Sequence, residues 1–244
     1  MNNFFTSVAD NALFVLQFVG IVLLLFVVAY VIEKIAKKKN NDTERILSTR
    51  KIVVVGIFSA ISALLMLIEF GLPVAPAGIY KMDFSELPAL IVGFAYGPVA
   101  GVMTEFIKVL LKTLIKGTST AFVGELASFV VGCGFILPAT IVYSFKKNKI
   151  SAVIACVIGT IVIAIVGSTF NAFYLIPTFA KMYGMDIEVI VGMGTAINSH
   201  ITSVATFALF AVAPFNLIKG TIISVITLLI YKRLSPIIKA TKKN

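Results

Sequence analysis

Cysteine and histidine are scarce in this sequence: Cys133, Cys156 and His200 are the only such residues among 244. Both cysteines lie in apolar runs with no Cys-x-x-Cys spacing, which argues against a disulfide framework or a metal site. His200 has no His-Glu-x-x-His neighbour and Ser119 sits in no nucleophile-elbow pattern, so the groups a membrane-embedded enzyme would need are missing. No Gly-x-x-x-x-Gly-Lys-Ser/Thr loop occurs, and no polar stretch is long enough to be a soluble ATPase domain. Charge is sparse too, at 13% of residues. What fills the chain is apolar: 59% of residues are hydrophobic and the mean hydropathy is +1.04. Several runs approach or exceed the roughly 18 residues that mark a membrane-spanning helix. None alternates polar with apolar positions as a barrel strand would. The composition is that of an all-α, polytopic membrane protein.

The net charge of +10 is not a nucleic-acid footprint. Basic residues cluster at Lys34 to Lys51, Lys146 to Lys149 and Lys232 to Lys243, as cytoplasmic loops and tails require. The same clusters suit contacts with anionic lipid. Residues 11–32 form the first apolar helix, about 33 Å long at 1.5 Å per residue. It has no basic residue before it, unlike a secretory signal, and a basic flank after it. That flank places the N-terminus outside and residues 33–51 in the cytoplasm. Residues 52–70 make the next helix, with a stripe of small residues at Gly56, Ser59, Ala60 and Ala63 that allows close helix approach. Packing within this chain is the alternative use of that stripe. Glu69, at the outer end, is expected to reach interfacial water.

The informative stretch runs from Tyr80 to Pro138. It is apolar enough for a bilayer, yet it carries Asp83, Glu86, Glu105, Lys108, Lys112, Lys116 and Glu125. Charges at membrane depth face a cavity or one another. Ser85 is expected to cap a short helix, 86–97, and Gly97-Pro98 a cytoplasmic turn. Helix 99–115 presents Glu105, Lys108 and Lys112 on one face, where Glu105 and Lys108 can also simply pair with each other. Gly117 to Thr120 turn the chain into helix 121–144. Helix 150–175 then runs outward, with Asn171 near its end.

Residues 176–213 are harder to place. They hold Pro177, Lys181, Asp186, Glu188, Asn198 and His200, then an apolar run to Pro214. Two arrangements are open: an outer loop with a helix lying on or dipping into the bundle, or a true span. A span would flip the last helix, 215–231, and the basic tail opposes that. Six of the 21 basic residues, Lys81, Lys108, Lys112, Lys116, Lys181 and Lys219, gather toward the outer half against the usual bias. That asymmetry predicts a polar pocket opening outward.

Four ordered blocks then identify a family: Asp83-Phe84-Ser85-Glu86-Leu87-Pro88-Ala89-Leu90, Gly117-Thr118-Ser119-Thr120, Val123-Gly124-Glu125-Leu126-Ala127 and Ala213-Pro214-Phe215-Asn216-Leu217-Ile218-Lys219-Gly220. They resemble the substrate-binding S component of energy-coupling factor (ECF) transporters, and the riboflavin-specific group most. The resemblance covers about residues 50–236. It implies a six-helix S-component bundle, here with one extra N-terminal transmembrane helix and basic linker (1–49) and a basic tail (237–244). It implies a vitamin importer subunit of a prokaryotic plasma membrane, not itself an enzyme, whose partners are a membrane coupling subunit and two cytoplasmic ATPase subunits. Riboflavin would be the cargo, with no cofactor. Binding would fall to Asn216 and Lys219 on the last helix, Asn171, the first-loop residues Ile79, Tyr80, Lys81, Met82, Asp83 and Phe84, and Gly124 and Glu125. Docking on the coupling subunit would use Gly56, Ala60 and Ala63, although the family's strict Ala-x-x-x-Ala spacing is missing. Another vitamin or precursor as cargo, or a stand-alone secondary transporter, are the alternatives; no internal repeat supports the latter.

Overall fold

In a computed structural model, residues 12–71, 80–118, 120 and 122–240 are described. Ten α-helices and one minimal hairpin make up these residues. Helix α1 (Ala12–Lys39) is 28 residues long, and α2 (Thr49–Leu67) follows after a polar linker. Strands β1 (Phe70–Gly71) and β2 (Lys81–Met82) pair antiparallel, Phe70 with Met82 and Gly71 with Lys81. Then come α3 (Glu86–Tyr96), α4 (Pro98–Lys116), α5 (Val123–Phe145) and α6 (Lys149–Phe170). The chain continues through α7 (Ile176–Tyr183), α8 (Ile187–Thr195), α9 (Val204–Phe207) and α10 (Ala213–Ala240).

Among the described residues, five helical stretches are long and apolar enough to cross a membrane: Leu16–Lys39, Thr49–Leu67, Val123–Phe145, Lys149–Tyr183 and Val204–Tyr231. Helix α4 has the length but carries Glu105, Lys108, Lys112 and Lys116. Helix α3 is too short to span, at about 16 Å, and is buried from Pro88 through Ala95. It is an interior element packed against α2, α4, α5 and α10. The core lies where Phe94, Phe135, Ile136 and Tyr143 meet Ala155, Ile163 and Ile223.

Three expectations need correction. Ser85 does not cap α3: its own backbone is helical, and its hydroxyl accepts a hydrogen bond from Lys108 Nζ at 2.8 Å instead. The Asp83 carboxylate takes the start of the turn, accepting from Ser85 N at 2.7 Å. Glu69 does not simply point into interfacial water, because it pairs with Lys81 and Lys116. The helix breaks expected near Pro177 and Pro214 do not occur. Helix α6 runs through a π turn (Asn171–Leu175) into α7, and α9 runs through a second π turn (Ala208–Val212) into α10. A helical proline lacks an N–H and crowds the carbonyl four residues earlier. Those carbonyls, on Phe173 and Phe210, lie inside the two wide turns, which open the helix where each proline needs room. The apolar run before Pro214 is therefore the first part of the last span, and only α8 and its flanking loops remain as a cap.

Helix α1 is built into the bundle. Phe18 and Phe26 make edge-to-face contacts with Phe129 and Phe106, while Val22 and Ala29 pack among Val102, Val109 and Leu137. Glu33, only 2% exposed, accepts the Val99 backbone N–H at 2.9 Å and so caps the start of α4. Gly97 makes that possible. Its φ is +109°, and a Cβ there would meet the Glu33 carboxylate at 2.6 Å. At the same end, Asn40 Nδ2 donates to the Ser144 carbonyl at 2.8 Å, in the last turn of α5.

Candidate functional site

The end of the bundle away from the basic clusters opens into a cavity of about 480 Å³. That is within the ordinary range for a small-molecule site. Its walls come from the ends of α2, α4 and α6 with the π turn, the starts of α3, α5 and α10, and the segment Tyr80–Asp83.

Its floor is charged. Lys219 Nζ lies 2.9 Å from Glu86 Oε1 and 3.5 Å from Asp83 Oδ2. Asn216, one turn earlier on α10, donates from Nδ2 to the Val212 carbonyl at 3.0 Å. Its carboxamide lies against Gly167, where a Cβ would come within 2.6 Å of Nδ2. Asn171 completes this side: its Nδ2 donates to the Gly167 carbonyl at 2.7 Å, and its Oδ1 accepts the Tyr80 hydroxyl at 2.6 Å. Burial pushes the Tyr80 phenol pKa upward, which keeps the hydroxyl protonated for this hydrogen bond.

One wall is a second ion-pair centre. Glu125 Oε1 pairs with Lys112 Nζ at 3.1 Å, and Glu125 Oε2 accepts the Thr118 and Thr120 hydroxyls at 3.0 and 3.2 Å. At the mouth, Glu69 Oε1 holds Lys81 at 2.7 Å and Lys116 at 3.0 Å. Burial pushes the Glu69 carboxyl pKa up, but the two lysine hydrogen bonds outweigh it and hold it below the usual carboxylate value. Met66, Val131, Leu175, Phe179 and Phe215 supply apolar faces between these centres. The cavity thus offers amide and ammonium donors beside apolar and aromatic surface. That suits a planar heteroaromatic ligand with a polar edge.

Of the sequence-predicted residues, Tyr80, Lys81, Asp83, Gly124, Glu125, Asn171, Asn216 and Lys219 line this cavity. Met82 does not. Strand alternation turns it inward, 1% exposed, among Ile176, Ile190 and Phe207. Phe84 packs against the core and also lies off the cavity. Ile79 lies outside the described residues. Sequence reasoning left out of the site Glu69, Glu86, Lys112, Lys116, Thr118 and Thr120, which all line it. The signal was present, because the lysines belong to the outer-half basic excess and Glu86, Thr118 and Thr120 sit in two of the four blocks. His200 is exposed, away from the cavity, with its ring near Phe210. On α2, Gly56 and Ala60 face outward, whereas Ala63 is 1% exposed and belongs to the interior.

Comparison with known proteins agrees with this architecture. Residues 50–231 match the family model described as "ECF transporter, substrate-specific component". Riboflavin transporter RibU of Staphylococcus aureus (strain TCH60) is 33% identical over 195 residues, covering 78% of this chain and 93% of that protein. Riboflavin transporter FmnP of Bacillus subtilis (strain 168) is 31% identical over 191 residues, covering 78% and 94%. A solved S component of a bacterial ECF transporter superposes with a TM-score of 0.60 at 32% identity, over 78% of this chain and 98% of that one. Helix α1 lies outside the matched region. From residue 50 to residue 231, this multi-pass membrane protein belongs to the family of ECF transporter substrate-specific components.

Proposed function

We propose that this chain is the riboflavin-specificity subunit of an ECF importer, binding the vitamin in the 480 Å³ cavity and releasing it inward with its partners. The observation that carries this reading is the convergence of Asn171, Asn216 and Lys219 beside Phe215 in one cavity, in a chain whose relatives are named riboflavin transporters. The pyrimidine edge of a flavin presents carbonyl acceptors and an imide N–H. A carboxamide serves both kinds of group, and an ammonium serves the carbonyls. Phe215 and Phe179 offer apolar faces for the rings. The ribityl hydroxyls match the Glu125, Thr118 and Lys112 wall. The vitamin is cargo, and its binding calls on no cofactor.

The chain would work as a six-helix core with α1 as a seventh helix ahead of it, the tail beyond residue 236 lying in the cytoplasm. The N-terminus would be outside and the cavity would open outward, an orientation the basic clusters favour. ATP hydrolysis would belong to two cytoplasmic partner subunits, reached through a membrane coupling subunit. That subunit would dock on the outward stripe of α2 at Gly56 and Ala60.

The test is an absorption spectrum of the detergent-purified protein followed by riboflavin titration with fluorescence quenching. A co-purifying flavin spectrum or tight saturable quenching is the expected result. A folded sample with neither would move the cargo assignment to another vitamin.

A further inference from the structure

We infer that Glu86 and Lys108 are positioning residues for the ligand, forming a buried relay that aims the Lys219 ammonium into the cavity. The inference rests on the proposed role of Lys219 as a ligand contact. Three carboxylates and two ammonium groups, from the first loop, α3, α4 and α10, meet beneath the cavity floor. Glu86 Oε1 is shared: Lys219 Nζ is 2.9 Å away and Lys108 Nζ is 3.4 Å away. Lys108 reaches Glu105 at 2.8 Å and the Ser85 hydroxyl at 2.8 Å. Ser85 is tied in turn to α2, its carbonyl accepting from the Ser62 hydroxyl at 2.9 Å.

The two lysines are used differently. An ammonium has three N–H donors. Lys108 has three acceptors around it, in Ser85, Glu105 and Glu86, and it does not line the cavity. It is fully buried and lies off the cavity, so its donors stay within this cluster. Lys219 lines the cavity, holds Glu86 closely and Asp83 at a longer 3.5 Å, and keeps a donor to offer. A free lysine tip rotates about four single bonds, and fixing it before the ligand arrives removes an ordering cost from binding. Glu86 does the fixing. Lys108 holds Glu86 from the dry side, where a carboxylate with one partner would be poorly compensated.

A relay of this kind acts on the ligand only through Lys219, and a double-mutant cycle reads that directly. Riboflavin affinity is measured by fluorescence quenching for the full chain and for the Lys219→Met, Glu86→Gln and Glu86→Gln/Lys219→Met variants. The Lys108–Glu105 pair survives in all of them. The expected result is at least a tenfold loss for Lys219→Met, at least a threefold loss for Glu86→Gln, and a double variant within twofold of Lys219→Met. Losses that multiply in the double variant would overturn the relay, as would native affinity in Glu86→Gln. If Glu86→Gln alone does not fold, the double variant against Lys219→Met decides, and a further loss beyond twofold there refutes it. A loss in Lys219→Met beside an unaffected Glu86→Gln removes the relay and leaves the cargo reading intact. No riboflavin binding by the unaltered protein removes both.

Discussion

Lys219 and Asn216 sit one turn apart on the same helix, yet their substitution has different consequences because their surroundings differ. Among the described residues, the Asn216 side chain bonds its own helix alone, through the Val212 carbonyl. Asn216→Ala should therefore weaken riboflavin binding by about 1–3 kcal/mol, the cost of a lost hydrogen bond with a buried partner left unpaired, while melting stays near that of the unaltered protein. Lys219→Ala should weaken binding by a similar 1–3 kcal/mol and also lower the melting temperature, since it strips countercharge from Glu86 and Asp83. Quenching titrations and thermal melts in detergent check both, and native affinity in both variants would remove the proposed contacts. Glu69 gives a pH prediction. Its carboxyl is held below its ordinary value of 4.5 chiefly by Lys81 and Lys116 against the upward push of burial. The pairing therefore contributes stability above the unfolded value and loses it as pH falls through the folded one. Both lysines are about half exposed, so the pair is worth at most about 1 kcal/mol. The rate of flavin release should rise below about pH 4.5 in the unaltered protein more than in Glu69→Gln. Parallel pH profiles would show that the mouth pair does not hold the ligand.

Helix α1 and the residue after it satisfy two helix-end groups, in addition to the packing of Phe18 and Phe26. Glu33 caps the N-terminus of α4, and Asn40 takes a carbonyl in the last turn of α5. Removing a capping side chain costs about 0.5–2 kcal/mol, and a carboxylate at a helix N-terminus adds the dipole interaction. Glu33→Ala should lower the stability of the folded protein by about 1–2 kcal/mol, measured as a lower melting temperature, with riboflavin affinity little changed because the cap lies at the opposite end from the cavity. An unchanged melt would mean α1 is only an anchor. None of this was legible beforehand, since a glutamate 66 residues from the turn it caps leaves no local pattern. What was legible followed from local rules: apolar run lengths gave α2 and α5 within a few residues and α1 except for its lysine-rich last seven residues, and Gly97-Pro98 marked the α3–α4 turn. The same rules left residues 176–213 open between a loop and a span, because proline reads as a stop and a π turn has no sequence signature of its own. The cavity residues were half legible. Lys81, Glu125, Asn171 and Lys219 stood out as polar groups in apolar surroundings. Glu86 was visible as a buried charge, but its place between two lysines arises from three helices meeting.

At the scale of the whole molecule, the two faces of α2 differ: one is packed into the fold and the other is the proposed docking surface. The inward face carries Val55, Ser59, Ser62, Ala63 and Met66, all buried, and Ser62 and Ser59 hydrogen-bond within the fold. The outward face carries Gly56 and Ala60 between exposed Ile52, Ile57, Ile61 and Leu64, and a Cβ added at Gly56 would meet nothing within 4 Å. Helix α1 packs on α4 and α5, and among the described residues nothing covers Gly56. In lipid, small residues matter where another helix must come close, because packing rather than hydrophobicity drives association there. Ala60→Leu should therefore leave riboflavin affinity within about twofold of native, a difference under about 0.5 kcal/mol, and sharply reduce uptake when the chain is co-expressed with coupling and ATPase subunits. Ala63→Leu should do the reverse of a clean docking defect, lowering stability and binding together by overpacking the interior at a cost of about 1–3 kcal/mol. Uptake assays in vesicles, paired with co-purification of the partner subunits, separate the two. Full uptake by Ala60→Leu, with the complex intact, would move the docking surface to another face of the bundle.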